Sequence, residues 1–323
     1  MGLLHLLTLA LPLLHLPTPT LSLRIACSQQ WVEHTPLVYA ARNFYNPAAA
    51  SSDTATITNG GVPNLSSDRS IDLAANAETQ GLKNYARNKN IRLIGILVEV
   101  TYRLVAHKGA GINTLADLRG KRIGTIAGTS AEVFVRQLLA TAGLAQGDYT
   151  TVNGNVCMKA PCAADTFPAQ FSGRRIDAFG VWETSVELGI QAVGEGDVVV
   201  FKNASVYREV YSLYSTQEKL RDAGTRQRIV QFVRALNQTY EVFKRPTEAV
   251  YSMVGQTVNV DVPVLKNVWE DHVWGPGSLG KDLVDFLERE DQYLARTDRR
   301  QAFTRAELEQ FVDTSVYEEA MRG

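Results

Sequence analysis

Strand-like and helix-like stretches alternate between residues 23 and 201, and the alternation starts over once near residue 115. In the first round, short β-rich runs at 23–26, 55–58, 71–75 and 91–106 are separated by helical patterns at 35–44 and from Glu78 through Leu82 and Tyr85. In the second, strands at 123–126, 149–152, 176–179 and 198–201 are separated by helices that begin at Gly128-Thr129-Ser130, at 164–171 and at 184–192. Such an order predicts two α/β units with mostly parallel sheets. Val135, Leu138, Leu139 and Ala142 fall on one face of the 128–142 helix, Thr129 and Glu132 have capping-box spacing, and Gly143 suits its end. From Gln217 onward the pattern is helical. Ile229, Phe232, Val233, Leu236, Tyr240 and Phe243 form one apolar stripe, and further helices are expected over 264–273, 281–295 and 304–322.

The first 22 residues carry no Asp, Glu, Lys or Arg, are rich in Leu and end in small residues. They predict a secretory signal peptide, since the apolar part is too short to span a bilayer. No later segment could span a membrane, so a secreted chain is expected. Three sequons, at Asn64, Asn203 and Asn237, fit export from a eukaryotic cell, such as a fungal one, as a glycoprotein, with Asn237 disfavoured by its helical surroundings. The formal net charge of −1 argues against a nucleic-acid partner, which needs a basic surface. Nothing in the 323 residues asks for an oligomer, so a monomer is expected.

Four short stretches carry a family resemblance. Arg24-Ile25-Ala26 with the helix from Thr35-Pro36, Asp72-Leu73-Ala74, and above all the Leu115-Ala116-Asp117-Leu118-Arg119-Gly120-Lys121-Arg122-Ile123 run are joined by Gly173-Arg174-Arg175-Ile176-Asp177-Ala178. In order and spacing these resemble the nitrate/sulfonate/taurine-type substrate-binding proteins, over about residues 23–260. Eukaryotic thiamine-pyrimidine synthases belong to the same superfamily, but their Cys-rich motif is absent here. The resemblance implies a two-lobed type II periplasmic-binding-protein fold. Lobe 1 would comprise 23–103 plus about 204–323, and lobe 2 would comprise 104–203. The hinge would lie near 100–106 and 198–203, and the ligand would sit between the lobes at the carboxyl ends of the strands.

That placement gives a candidate wall of Gln29, Trp31, Asn59, Asn76, Glu78, Thr129, Ser130, Trp182 and Glu183. Gly128-Thr129-Ser130 is either an anion site at a helix start or a plain cap. Trp31 and Trp182 could sandwich a flat molecule or belong to the core. Glu78 and Glu183 either cap their helices or serve as general acid and base. Two carboxylates at the cleft would favour a heterocycle, a cation or a zwitterion over a simple anion.

Cys157 and Cys162 can close a small disulfide loop in an oxidising compartment. Cys27 is then left over, as a buried apolar residue or as a thiol activated by His34. No HExxH, CxxC pair, phosphate loop or G-x-S-x-G elbow occurs, so neither a metal nor a cofactor is expected. The preferred function is a secreted binder of a small polar or heteroaromatic molecule. The alternatives are a lyase, cyclase or isomerase on the same scaffold, using Glu78, Glu183 or Cys27, and an extracellular interaction protein whose cleft is filled.

Overall fold

The computed structural model describes residues 22–45, 54–277, 279 and 281–322. The signal-peptide expectation therefore lies outside the described residues, apart from Ser22. Two sheets organise the chain. The first contains β1 (Leu23–Cys27), β2 (Ala55–Asn59), β3 (Leu73–Ala77), β4 (Ile91–Val100), β10 (Glu209–Thr216) and β11 (His272–Trp274), in the order β11-β4-β10-β3-β1-β2. The second contains β5 (Leu104–His107), β6 (Arg122–Gly124), β7 (Thr150–Val152), β8 (Ala178–Gly180) and β9 (Val198–Phe201), in the order β7-β6-β8-β5-β9.

Both sheets are mixed. β1 pairs in parallel with β2 and β3, and β6 with β7 and β8, as expected where helices link successive strands. β10 runs antiparallel between β3 and β4, and β5 antiparallel between β8 and β9. These reversed strands are where the chain changes sheets. Residues 101–103 carry it from β4 to β5, and residues 202–208 return it from β9 to β10. The 91–106 run is thus two strands in two sheets.

β10 has no counterpart among the sequence expectations. It is buried along its whole length, yet carries Glu209, Ser212 and Ser215. Ser215 and Ser212 satisfy their hydroxyls on the Asp72 and Val210 carbonyls, at 2.8 and 3.1 Å, so these two serines occupy a central strand without an unpaired hydroxyl.

The expected stripe from Ile229 to Phe243 is buried along helix Ala223–Lys244. The helix expected over 264–273 stops earlier. It spans Val262–Val268, and after one 3-10 turn the chain becomes β11, held antiparallel on β4, with Trp269 and Trp274 packed on Phe243. The helix expected over 304–322 breaks into Arg305–Phe311 and Ser315–Met321, because Val312 bridges Leu93 and Asp313 N–H donates to the Leu93 carbonyl.

Candidate functional site

The lobes meet in a ring of side chains. The turn after β1 presents Trp31, then Glu33 and His34 in a 3-10 helix. His34 packs edge-on against Tyr211 of β10, with centroids 5.3 Å apart. From the crossing, Tyr102 pairs its hydroxyl with Ser130 Oγ at 3.3 Å, and Ser130 accepts the Trp182 indole N–H at 3.2 Å. Trp182 reaches back to Trp31, with centroids 5.2 Å apart and planes tilted by 50°. The two indoles therefore touch each other, and a flat molecule does not fit between them in this closed arrangement.

Inside this ring lies a buried acid group. Glu78, the first residue of the helix after β3, accepts from Tyr207 OH and from Val210 N–H, each at 2.9 Å. The same Tyr207 hydroxyl lies 3.3 Å from Glu209. Burial pushes the Glu78 carboxyl up to about 7, against the pull of those donors. Burial, and then the charge of Glu78, hold Glu209 well above the carboxylate range. Glu290, on helix Lys281–Thr297, accepts from Gln137 of the other lobe at 2.8 Å and is pushed up to about 8, again first by burial and then by Glu78. Glu33 is fully buried, and its oxygens have no hydrogen bond among the described residues. His272 Nε2 stands 3.7 Å away. Burial alone would lower His272, but the Glu33 carboxylate and the Val268 carbonyl outweigh it and the shift is upward.

The remaining candidates lie elsewhere. Gln29 and Asn59 are exposed at the open edge of the first sheet, where Asn59 Oδ1 accepts the Gln29 N–H at 3.4 Å. Asn76 is spent on the loop before it, accepting Val62 N–H at 2.7 Å. Thr129 does not form the expected capping box. Its hydroxyl donates to the Ile126 carbonyl, and Glu132 instead accepts Gly128 N–H at 2.7 Å. A carboxylate of the protein thus already occupies this helix start, which removes the reading of it as a site for an external anion.

Glu183 is one arm of an ion-pair hub. Arg103 Nε donates to it at 2.7 Å, and the same guanidinium reaches Glu187 at 3.1 Å and Asp271 at 3.5 Å. Glu183 is therefore committed to holding the crossing segment, not poised over the cleft as an acid. The Cys27–His34 dyad does not form. His34 Nδ1 pairs with the Ser28 carbonyl at 3.0 Å, and burial pushes the Cys27 thiol up to about 12, so no thiolate is available. Cys157 and Cys162 are joined as a disulfide.

A sequence model of the NMT1/THI5-like family matches residues 31–249, more than half of the chain. The chain belongs to this family. Its match ends before helix Lys281–Thr297, so Glu290 comes to the seam from outside the matched region. The alkanesulfonate-binding protein SsuA from Xanthomonas axonopodis pv. citri, bound to MOPS, superimposes with a TM-score of 0.67 at 18% identity, covering 91% of this chain and 98% of that one. The periplasmic sulfonate-binding protein SsuA of Methylobacillus flagellatus KT gives 0.72 at 15%, covering 93% and 94%. A Candida albicans protein with the generic periplasmic-binding-protein fold gives 0.60 at 15%, covering 91% and 96%. The fold of this family member is that of the periplasmic binding proteins. A protein named as a binding protein in Brucella abortus (strain 2308) is 31% identical over 80 residues, only 25% of this chain and 22% of that relative's length.

Sequence reasoning places Trp31, Glu78, Ser130 and Trp182 in the seam and misses Glu33, Tyr102, Tyr207, Glu209, Tyr211 and Glu290. One signal was available. Tyr207, Glu209 and Tyr211 alternate, which puts large polar groups on one face of an extended segment.

Proposed function

We propose that this chain is an exported solute-binding protein that closes two lobes over one small polar or heteroaromatic molecule at the Trp31–Trp182 seam. The lobes are residues 23–103 with 204–323, and residues 104–203. The observation that carries this reading is the set of contacts among His34, Tyr211, Tyr102, Ser130, Trp182 and Trp31, drawn from both lobes and the first crossing around buried polar groups. A packed core has no use for such a concentration of carboxyls, whereas a closing cleft does.

Removal of a leader over residues 1–22, secretion and action as a monomer belong to the same reading. Its support is the Cys157–Cys162 disulfide, which persists in oxidising compartments. Among the described residues no helix is long and apolar enough to cross a membrane. Asn203 is the sequon best placed for a glycan, being exposed. Asn64 is half-buried, and the Thr239 of the Asn237 sequon is buried within a helix.

Native mass spectrometry of the chain from a eukaryotic secretory host tests this reading. The expected result is a co-purifying small molecule, released on mild denaturation, together with a glycan mass lost in Asn203→Gln. A chain that arrives empty, and whose scattering profile does not change with any solute, would sink it.

A further inference from the structure

The charge bookkeeping of the seam is one-sided. Glu33, Glu78, Glu209 and Glu290 are all buried; Glu209 feels the charges of Glu78 and Glu33, and Glu290 that of Glu78. The basic groups around them are already committed. Arg103 is held by Glu183, Glu187 and Asp271. Lys83 donates to the Gly128 carbonyl and faces Asp298. Arg136 pairs with Glu132, and Arg208 with Glu99 and Asp282. Among the described residues, His272 faces Glu33 at 3.7 Å, and the charge of exposed Arg289 bears on Glu290.

A second observation is independent of the acids. His34 is buried and spends Nδ1 on the Ser28 carbonyl, while Nε2 has no hydrogen bond among the described residues. Burial lowers its pKa, so the ring is neutral, and with Nδ1–H facing a carbonyl Nε2 is an acceptor. The unmatched groups on the Trp31 side of the seam, Glu33 and His34, are therefore acceptors. A buried acceptor without a donor is costly, and His272, at 3.7 Å, gives Glu33 a nearby charge but no hydrogen bond.

We infer that the ligand of this seam carries a protonated N–H group, an ammonium, amidinium or guanidinium, seated against Glu33 and His34 with Glu78 and Glu209 behind it. This rests on the solute-binding reading. It disfavours sulfonates and carboxylates, which an ionised Glu33 repels. It also excludes quaternary ammonium ions, which bring charge but no N–H.

The test is calorimetric titration of the full, ligand-stripped chain with agmatine and benzamidine, against benzamide, choline and ethanesulfonate, with small-angle scattering on each. Benzamidine and benzamide have nearly the same shape and differ in charge, so that comparison needs no variant. Agmatine or benzamidine should bind and compact the protein, and the other three should not. Glu33→Gln should weaken the cation roughly tenfold or more, the scale of a charged hydrogen bond. Binding of benzamide or ethanesulfonate as tight as that of the cations, or an unchanged affinity in Glu33→Gln, overturns the cation inference and leaves solute binding standing. If no probe binds and scattering stays constant throughout, the solute-binding reading itself falls.

Discussion

Tyr102 and Arg103 are neighbours in the first crossing, yet they lead into two different kinds of buried polar cluster. Around Arg103 every carboxylate oxygen has a donor. Glu183 takes Arg103 and the Glu187 N–H, Glu187 takes Arg103, Gln191 and Asn267, and Asp271 takes Lys202 and faces Arg103. Around Tyr102 the acids crowd together, their ionisation is suppressed, and Glu33 is left without a hydrogen bond among the described residues. Both clusters join the lobes. The saturated one can serve as a hinge fastening, because nothing further is needed to make it stable. The unsaturated one is stable only if protons or a ligand complete it. Burial alone does not separate structural from functional polar groups; the balance of donors and acceptors does.

Breaking the saturated cluster should have the largest effect. Arg103→Met strands three carboxylates beside the 101–103 crossing, and removing one partner of a buried ion pair costs about 3–5 kcal/mol. The urea midpoint should fall accordingly, and adding Glu183→Gln should recover part of the loss. A midpoint unchanged in Arg103→Met would show that the hub fastens nothing.

The unsaturated cluster should respond to pH instead. Glu78 and Glu290 have folded values of about 7 and about 8, against an ordinary 4.5. The unfolded chain therefore ionises first. Between about pH 5 and 8 it releases protons that the folded chain keeps, so stability falls as pH rises through this window. Glu307, held near 2, acts only below it. The melting temperature should decline most clearly from about pH 6.5 to 8, above the range in which the lowered His34 and His107 act in the opposite sense, and Glu78→Gln should flatten part of that slope. A melting temperature that rises across the window would mean that the acids are already ionised and paired.

The same contrast explains what could be read from the sequence. The stripe from Ile229 to Phe243 and the parallel β1–β3 unit follow from periodicity, because burial there is apolar and regular. Trp31 and Trp182 stand out as large residues directly after strands. β10 does not, because its Glu and Ser residues mimic a loop, and the partners that fix the strand, the Asp72 carbonyl for Ser215 and the Glu78 carboxyl for Val210 N–H, are distant in the chain. Glu183 and Glu78 look alike in sequence, each an acid at the start of a helix. Only the fold gives one a guanidinium and the other a second carboxyl.

Ser130→Ala should have the smallest effect and sharpens the comparison most. Its hydroxyl is the single atom joining Tyr102 of the crossing to Trp182 of the second lobe. Removing it deletes two neutral hydrogen bonds, about 1–2 kcal/mol by the usual net value of each. Tyr102 is buried and Trp182 is half-buried, so the loss is not fully repaired by water. If the seam is a working cleft, the cost should appear mainly as a wider population of open forms in scattering, with only a small shift in the urea midpoint. If the seam is ordinary core, the midpoint should move by the full amount and the scattering should not change. That second outcome would place the Tyr102 cluster beside the Arg103 hub as a structural fastening and remove the distinction drawn between them.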